Sequence, residues 1–138
     1  MTILDTNVVS ALMTDPPEER VVAWLDRQVQ SSIWTTSITV LEIQTGLQSM
    51  NAGRRQSKLC EAFEGFLDDI GHRVAVLDEE SARLAADLTA LRRKAGRGGE
   101  LRNTMIAGIV LARHAMLATR NLPHFSDISA TIVNPWAV

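Results

Sequence analysis

Short apolar β-forming runs alternate along this chain with stretches of helical periodicity, and no hairpin turn joins two of the β runs. The β runs cover residues 2–5, 32–36, 73–77, 116–119 and 131–133, and the helical patterns cover 6–13, 17–28, 38–50, 58–69, 79–94 and 101–114. Strands separated by helices must be joined by crossovers, and crossovers make neighbouring strands parallel. The expected fold is therefore α/β: a mainly parallel sheet flanked by helices on both faces, in three layers. With 138 residues and no linker, repeat or low-complexity stretch, residues 1–138 are expected to form a single domain.

The punctuation agrees with that division. Pro17 suits a first helical turn, and Glu18 and Glu19 complement the positive end of the helix they open. Gly53 and Gly71 interrupt helical stretches. Leu84, Leu88 and Leu91 recur at helical spacing before the loop Gly96-Arg97-Gly98-Gly99.

Composition narrows the class. A 46% hydrophobic and 22% charged chain is that of a soluble protein, no apolar run approaches the roughly 20 residues of a membrane span, and Asp5 breaks the first apolar run before it becomes a leader. The expectation is a cytoplasmic protein without membrane contact. Cys60 is the sole cysteine and there are three histidines, so neither an internal disulfide nor a structural zinc site is expected, and Cys60 reads as a packing residue. A net charge of −2 argues against a nucleic-acid binder working by bulk electrostatics. A local basic strip stays open: Arg92, Arg93, Lys94 and Arg97 either steer an RNA backbone or form a solvated helix end complementing its dipole.

The polar residues with chemistry to offer sit where β runs end. Asp5 closes the first run, at the carboxyl edge where open α/β sheets hold their ligands. Glu42 lies one turn into the helix after the second run, so a parallel sheet brings it to the same edge; alternatively Thr39 to Glu42 is a capping box and Glu42 satisfies a backbone donor. Asn103 opens the helix over 101–114, where an N-cap is the plain alternative. Asn121 follows the fourth run and is otherwise a turn residue. Two carboxylates and two amides converging there would be hard oxygen ligands suited to Mg²⁺ or Mn²⁺, and the chemistry implied is phosphodiester hydrolysis by a metal-activated water.

The segments Ile3-Leu4-Asp5-Thr6-Asn7-Val8, Thr36 to Ile43 with Gly46 behind it, Met105-Ile106-Ala107-Gly108 and Ala118 to Phe125 together resemble the PIN-domain ribonucleases, and among them the VapC-type toxins of toxin–antitoxin pairs. The ending Val133-Asn134-Pro135-Trp136 is similar to the FitB-like branch. The resemblance implies a PIN-like fold and a Mg²⁺-dependent endoribonuclease, with Asp5 and Glu42 as catalytic metal ligands, Asn103 in the place of a third acidic ligand, and Asn7, Thr119 and Asn121 as pocket support. Asn103 departs from that pattern. Asn keeps the shape of Asp but removes a charge, which implies weaker cation binding and an impaired nuclease.

The resemblance also implies a homodimer and a VapB-like antitoxin that covers the acidic pocket and alone contacts operator DNA. Trp24, Leu25, Val29 and Trp34 are candidates for an apolar antitoxin groove, with core packing as their alternative. The alternative from a different class, which Asn103 keeps open, is a catalytically weak domain that serves as an antitoxin-binding module in autorepression.

Overall fold

The computed structural model describes all of residues 1–138. Its elements run β1 (Thr2–Leu4), α1 (Thr6–Met13), α2 (Glu19–Asp26), β2 (Ile33–Thr36), α3 (Ser37–Gln48), α4 (Arg54–Asp69), β3 (Val74–Ala75), α5 (Glu79–Lys94), α6 (Leu101–Ala112), β4 (Met116–Ala118), α7 (Leu122–Phe125) and β5 (Ile132–Val133), with one 3₁₀ turn over Gln30–Ser32. Five parallel strands form one sheet in the order β3-β2-β1-β4-β5. The expected α/β architecture is therefore present.

Helices cover both faces of the sheet, and β1 shows how the sequence arranges this. Side chains alternate along a strand, so Ile3 enters the core formed with α5 and α6, and Leu4 enters the core formed with α1, α2 and α4. The whole of β1 is buried, which is why its residues read as a continuous apolar run rather than an alternating one. Val8, Val9, Trp24, Phe63 and Phe66 fill the first core, and Ile106, Ile109, Val110, Leu117 and Phe125 fill the second.

The chain runs outward from β1 through β2 to β3, then returns to place β4 and β5 on the other side of β1. That reversal opens a crevice at the carboxyl ends of β1 and β4, where loops diverge to opposite faces. Asp5 lies at this point, and its N–H donates to the Ala118 carbonyl at 2.9 Å.

Several boundaries differ from the sequence expectation. The second helix starts at Glu19 rather than Pro17, and α4 starts at Arg54 rather than residue 58. The extra turn of α4 is held from outside: Gln56 Nε2 donates to the carbonyls of Leu47, in the last turn of α3, and Met50, just beyond it. The final helical stretch of α5 ends in a Schellman motif, with Gly96 at φ +71° and the Arg97 N–H donating to the Arg92 carbonyl at 2.7 Å. The helix α7 leaves no periodic signal in the sequence, since its 4 residues are too few to show one.

Candidate active site

Asp5 is the N-cap of α1, and its buried carboxylate is encircled by donors. Its Oδ1 accepts from the Thr6 N–H at 2.8 Å; its Oδ2 accepts from Thr119 Oγ1 at 2.7 Å and Asn7 Nδ2 at 3.3 Å. Thr6 also reaches outward, donating from Oγ1 to Glu42 Oε1 at 2.8 Å. One residue therefore links the two carboxylates, across the carboxyl ends of the adjacent strands β1 and β2.

Glu42 is not part of a capping box. Thr36 caps α3, accepting from the Thr39 N–H at 3.1 Å, so Glu42 stands too far into the helix to reach the cap. Its side chain turns across to α1 and toward α6, where Arg102 Nη1 lies 3.9 Å from Oε2.

The supporting polar residues gather around Asp5. Asn7 Nδ2 also donates to Thr119 Oγ1, and Asn7 Oδ1 accepts from the Arg120 N–H at 3.2 Å. Asn121 takes part through its backbone, whose N–H donates to Thr119 Oγ1 at 3.0 Å.

Asn103 is likewise not an N-cap: α6 begins two residues earlier and Glu100 precedes it. The Asn103 amide bonds instead to the ring of His124, with 2.7 Å between Nδ2 and Nδ1. His124 also acts on Asp5 electrostatically. It lay inside the segment Asn121 to Phe125 that carried the family resemblance, yet nothing in its sequence context marked it as facing Asn103.

Electrostatics set the two carboxylates apart from ordinary ones. Burial pushes the pKa of Asp5 up, opposed by the bonds from Thr119, Thr6 and Asn7 and by His124. Glu42 is raised too, first by burial and further by the negative charge of Asp5, against the bond from Thr6 and the charge of Arg102. A cation between the two would relieve both effects. No three His, Cys, Asp or Glu side chains are grouped closely enough to form an all-protein cage. Two carboxylates do fit Mg²⁺, which is held through one or two of them and completes its octahedron with water and phosphate oxygens.

The basic strip divides. Arg92 is buried, contrary to either sequence reading of it, and clasps Asp127 through Nε and Nη2 at 2.8 Å each, while also donating to Thr104 Oγ1 and the His124 carbonyl. Asp127 is 35 residues away in sequence, so Arg92 looked like any other member of a helix-end cluster. Arg93, Lys94 and Arg97 stay exposed. The aromatic cluster divides as well: Trp24 belongs to the first core and Trp34 packs on the second, while Leu25 lines a surface recess and Val29 is exposed.

The family model of the PIN domain matches residues 2–129. The chain is a PIN-domain protein. Over its whole length this PIN domain is similar to the VapC ribonuclease Y4jK of Sinorhizobium fredii, at 35% identity covering 99% of the chain and 98% of the relative. It is 30% identical to the toxin FitB of Neisseria gonorrhoeae, covering 99% of each. Among solved structures it superposes on FitAB bound to an IR36 DNA fragment with a TM-score of 0.89 and 29% identity, covering 100% of this chain and 97% of the other.

Proposed function

We propose that the protein is the toxin of a type II, VapBC-like toxin–antitoxin pair, a Mg²⁺-dependent endoribonuclease whose activity is lowered by Asn103. The observation that carries this reading is the Asp5–Thr6–Glu42 linkage at the reversal point of the sheet: two carboxylates with raised pKa values, bridged by one residue, at the edge where open α/β sheets hold their ligands. Membership of the PIN family and likeness to a VapC ribonuclease support the same chemistry.

In this reading Asp5 and Glu42 hold the cation, Mg²⁺ or in its place Mn²⁺, and Asn103 offers an amide where a third acid would add charge. The bound cation supplies charge neutralisation at the phosphate and an activated water. Thr6, Asn7 and Thr119 fix both carboxylates through hydrogen bonds, so little reorganisation is needed on binding. Asn121 holds Thr119 from behind. Burial of Asp5 keeps bulk water from screening the charges that act on the phosphate.

The partner in this reading is a VapB-like antitoxin covering the acidic crevice. A recess of about 470 Å³, lined by Leu12, Val22, Leu25, Phe66 and Ile70 together with polar groups such as Asp26 and Asp69, offers it a seat beside α1, α2 and α4. Operator DNA is contacted through the antitoxin. The toxin works as a cytoplasmic homodimer of single-domain subunits.

The test is cleavage of total RNA in Mg²⁺ by the chain and by Asn103→Asp, both free of antitoxin, with Asp5→Ala as control and Mg²⁺ affinity measured by calorimetry. Activity and affinity that rise in Asn103→Asp and vanish with Asp5→Ala support a nuclease weakened at one ligand. Equal activity in both forms removes the role given to Asn103. Silence in both favours the second reading, an antitoxin-binding module, for which the engagement of Asn103 with His124 is the motivating contact.

A further inference from the structure

Beside the candidate metal site lies a recess of about 190 Å³ without a single hydrophobic lining residue. Its wall includes Arg97, Gly98, Gly99, Asn103, Pro123 and His124, so Asn103 and His124 belong both to the recess and to the surroundings of Asp5.

Arg97 brings to this recess a cation that is only partly engaged. Arg97 is half exposed, and its guanidinium makes only long contacts, 3.4 Å to Asp127 Oδ2 and 3.3 Å to the Pro123 carbonyl, which leave most of its five N–H donors free. His124 adds a second polar group: Nδ1 is engaged by Asn103, which leaves the other ring nitrogen, Nε2, without a protein partner. Arg92, by contrast, has its charge matched by Asp127 and its donors occupied by Asp127, Thr104 and the His124 carbonyl. It lines the recess too, but four of its five N–H donors are already engaged. It ties the end of α5, the start of α6 and α7 into one frame, and so fixes the spacing between Arg97, Asn103 and His124. Glu100 also lines the recess, as an exposed carboxylate working against an anion there.

We propose that this recess is a phosphate subsite for RNA, resting on the ribonuclease reading: it receives the backbone phosphate neighbouring the one at Asp5 and Glu42, with Arg97 as the binding group and Arg92 as the positioning residue that builds the wall. A planar guanidinium with free parallel N–H groups matches two phosphate oxygens, and such a contact adds affinity and register without reading the base.

The test is binding of a short fluorescent single-stranded RNA to the full chain in EDTA, followed by anisotropy over a series of salt concentrations, so that no hydrolysis enters the readout. Arg97→Ala is expected to weaken binding about tenfold and to reduce the slope of log K against log salt by about 0.7, the share of one single-strand phosphate contact. Arg97→Lys should recover the slope but not the full affinity. Glu100→Gln should tighten binding, and Arg83→Ala, a change at the far end of α5, should leave both quantities as they are. RNA bound with unchanged affinity and slope by Arg97→Ala overturns the subsite and leaves the ribonuclease reading standing. RNA not bound by the unaltered chain in EDTA also overturns the subsite, whereas the ribonuclease reading stands or falls on cleavage in Mg²⁺.

Discussion

Thr6 Oγ1 donates a 2.8 Å hydrogen bond to Glu42 Oε1 across 36 residues of sequence, while the N–H of the same Thr6 holds Asp5. One residue therefore touches both carboxylates, but only the bond to Glu42 depends on its side chain, since Asp5 is held by the Thr6 backbone and by Thr119 and Asn7. Outer partners of metal ligands commonly contribute about 10- to 100-fold to affinity. Thr6→Val, which keeps the shape and removes the hydroxyl, should lower Mg²⁺ affinity by about that factor while α1 stays folded. Calorimetric titration of Mg²⁺ with a circular-dichroism control checks this, and an unchanged affinity would show that Glu42 is oriented by other means.

The raised pKa values of Asp5 and Glu42 have a definite sign in stability. A carboxyl whose folded pKa lies above its ordinary value, 3.8 for Asp5 and 4.5 for Glu42, binds its proton more tightly in the native state. Stability from this source is greatest at low pH and falls as pH rises from those ordinary values through the raised folded ones. In EDTA, Asp5→Asn should thus gain in Tm relative to the unaltered protein as pH increases over that window. Added Mg²⁺ should reverse the ranking at neutral pH, because only the native carboxylate pair binds it. Thermal melts of both proteins across pH, with and without Mg²⁺, check the two signs together.

Asp127 behaves in the opposite way. The bonds and charge of Arg92 hold its carboxyl below the ordinary 3.8, so its contribution to stability is complete above that value and is lost as pH falls through the lower folded one. Removing the partner leaves Arg92 buried and uncompensated. Asp127 itself is open to solvent, so the cost is that of leaving buried Arg92 donors unmet, about 1 to 3 kcal/mol for Asp127→Ala, and Arg92→Met with Asp127→Ala together should cost less than the sum of the two. Urea unfolding of the four proteins completes the double-mutant cycle, and simple additivity would contradict the clasp.

Gly108 marks the closest approach of α5 and α6. A Cβ there would come 2.3 Å from the Ser81 carbonyl oxygen and 2.9 Å from Ala85 Cβ, and the first contact is with backbone, which cannot swing aside. Gly108→Ala should therefore destabilise by about 1 to 3 kcal/mol despite the better helix propensity of Ala. Chemical denaturation measures it. A gain in stability would mean that the two helices can separate at little cost.

What the sequence determined by itself was the alternation of elements and, through it, the parallel sheet with Asp5 and Glu42 at one carboxyl edge. Those properties are carried by short windows: the apolar run Thr2–Leu4, the Asp-Thr-Asn that follows it, and the helical spacing of Leu84 and Leu88. The strand order, the linkage of Asp5 to Glu42 through Thr6, the meeting of Asn103 with His124 and the burial of Arg92 against Asp127 were decided only by the tertiary structure. Each joins residues 21 or more positions apart, and no local preference specifies such a partner. Arg92 is the sharpest case: beside Arg93 and Lys94 it reads as one more solvated charge, and only the return of the chain after β4 places a carboxylate within reach, turning a surface residue into a buried strut.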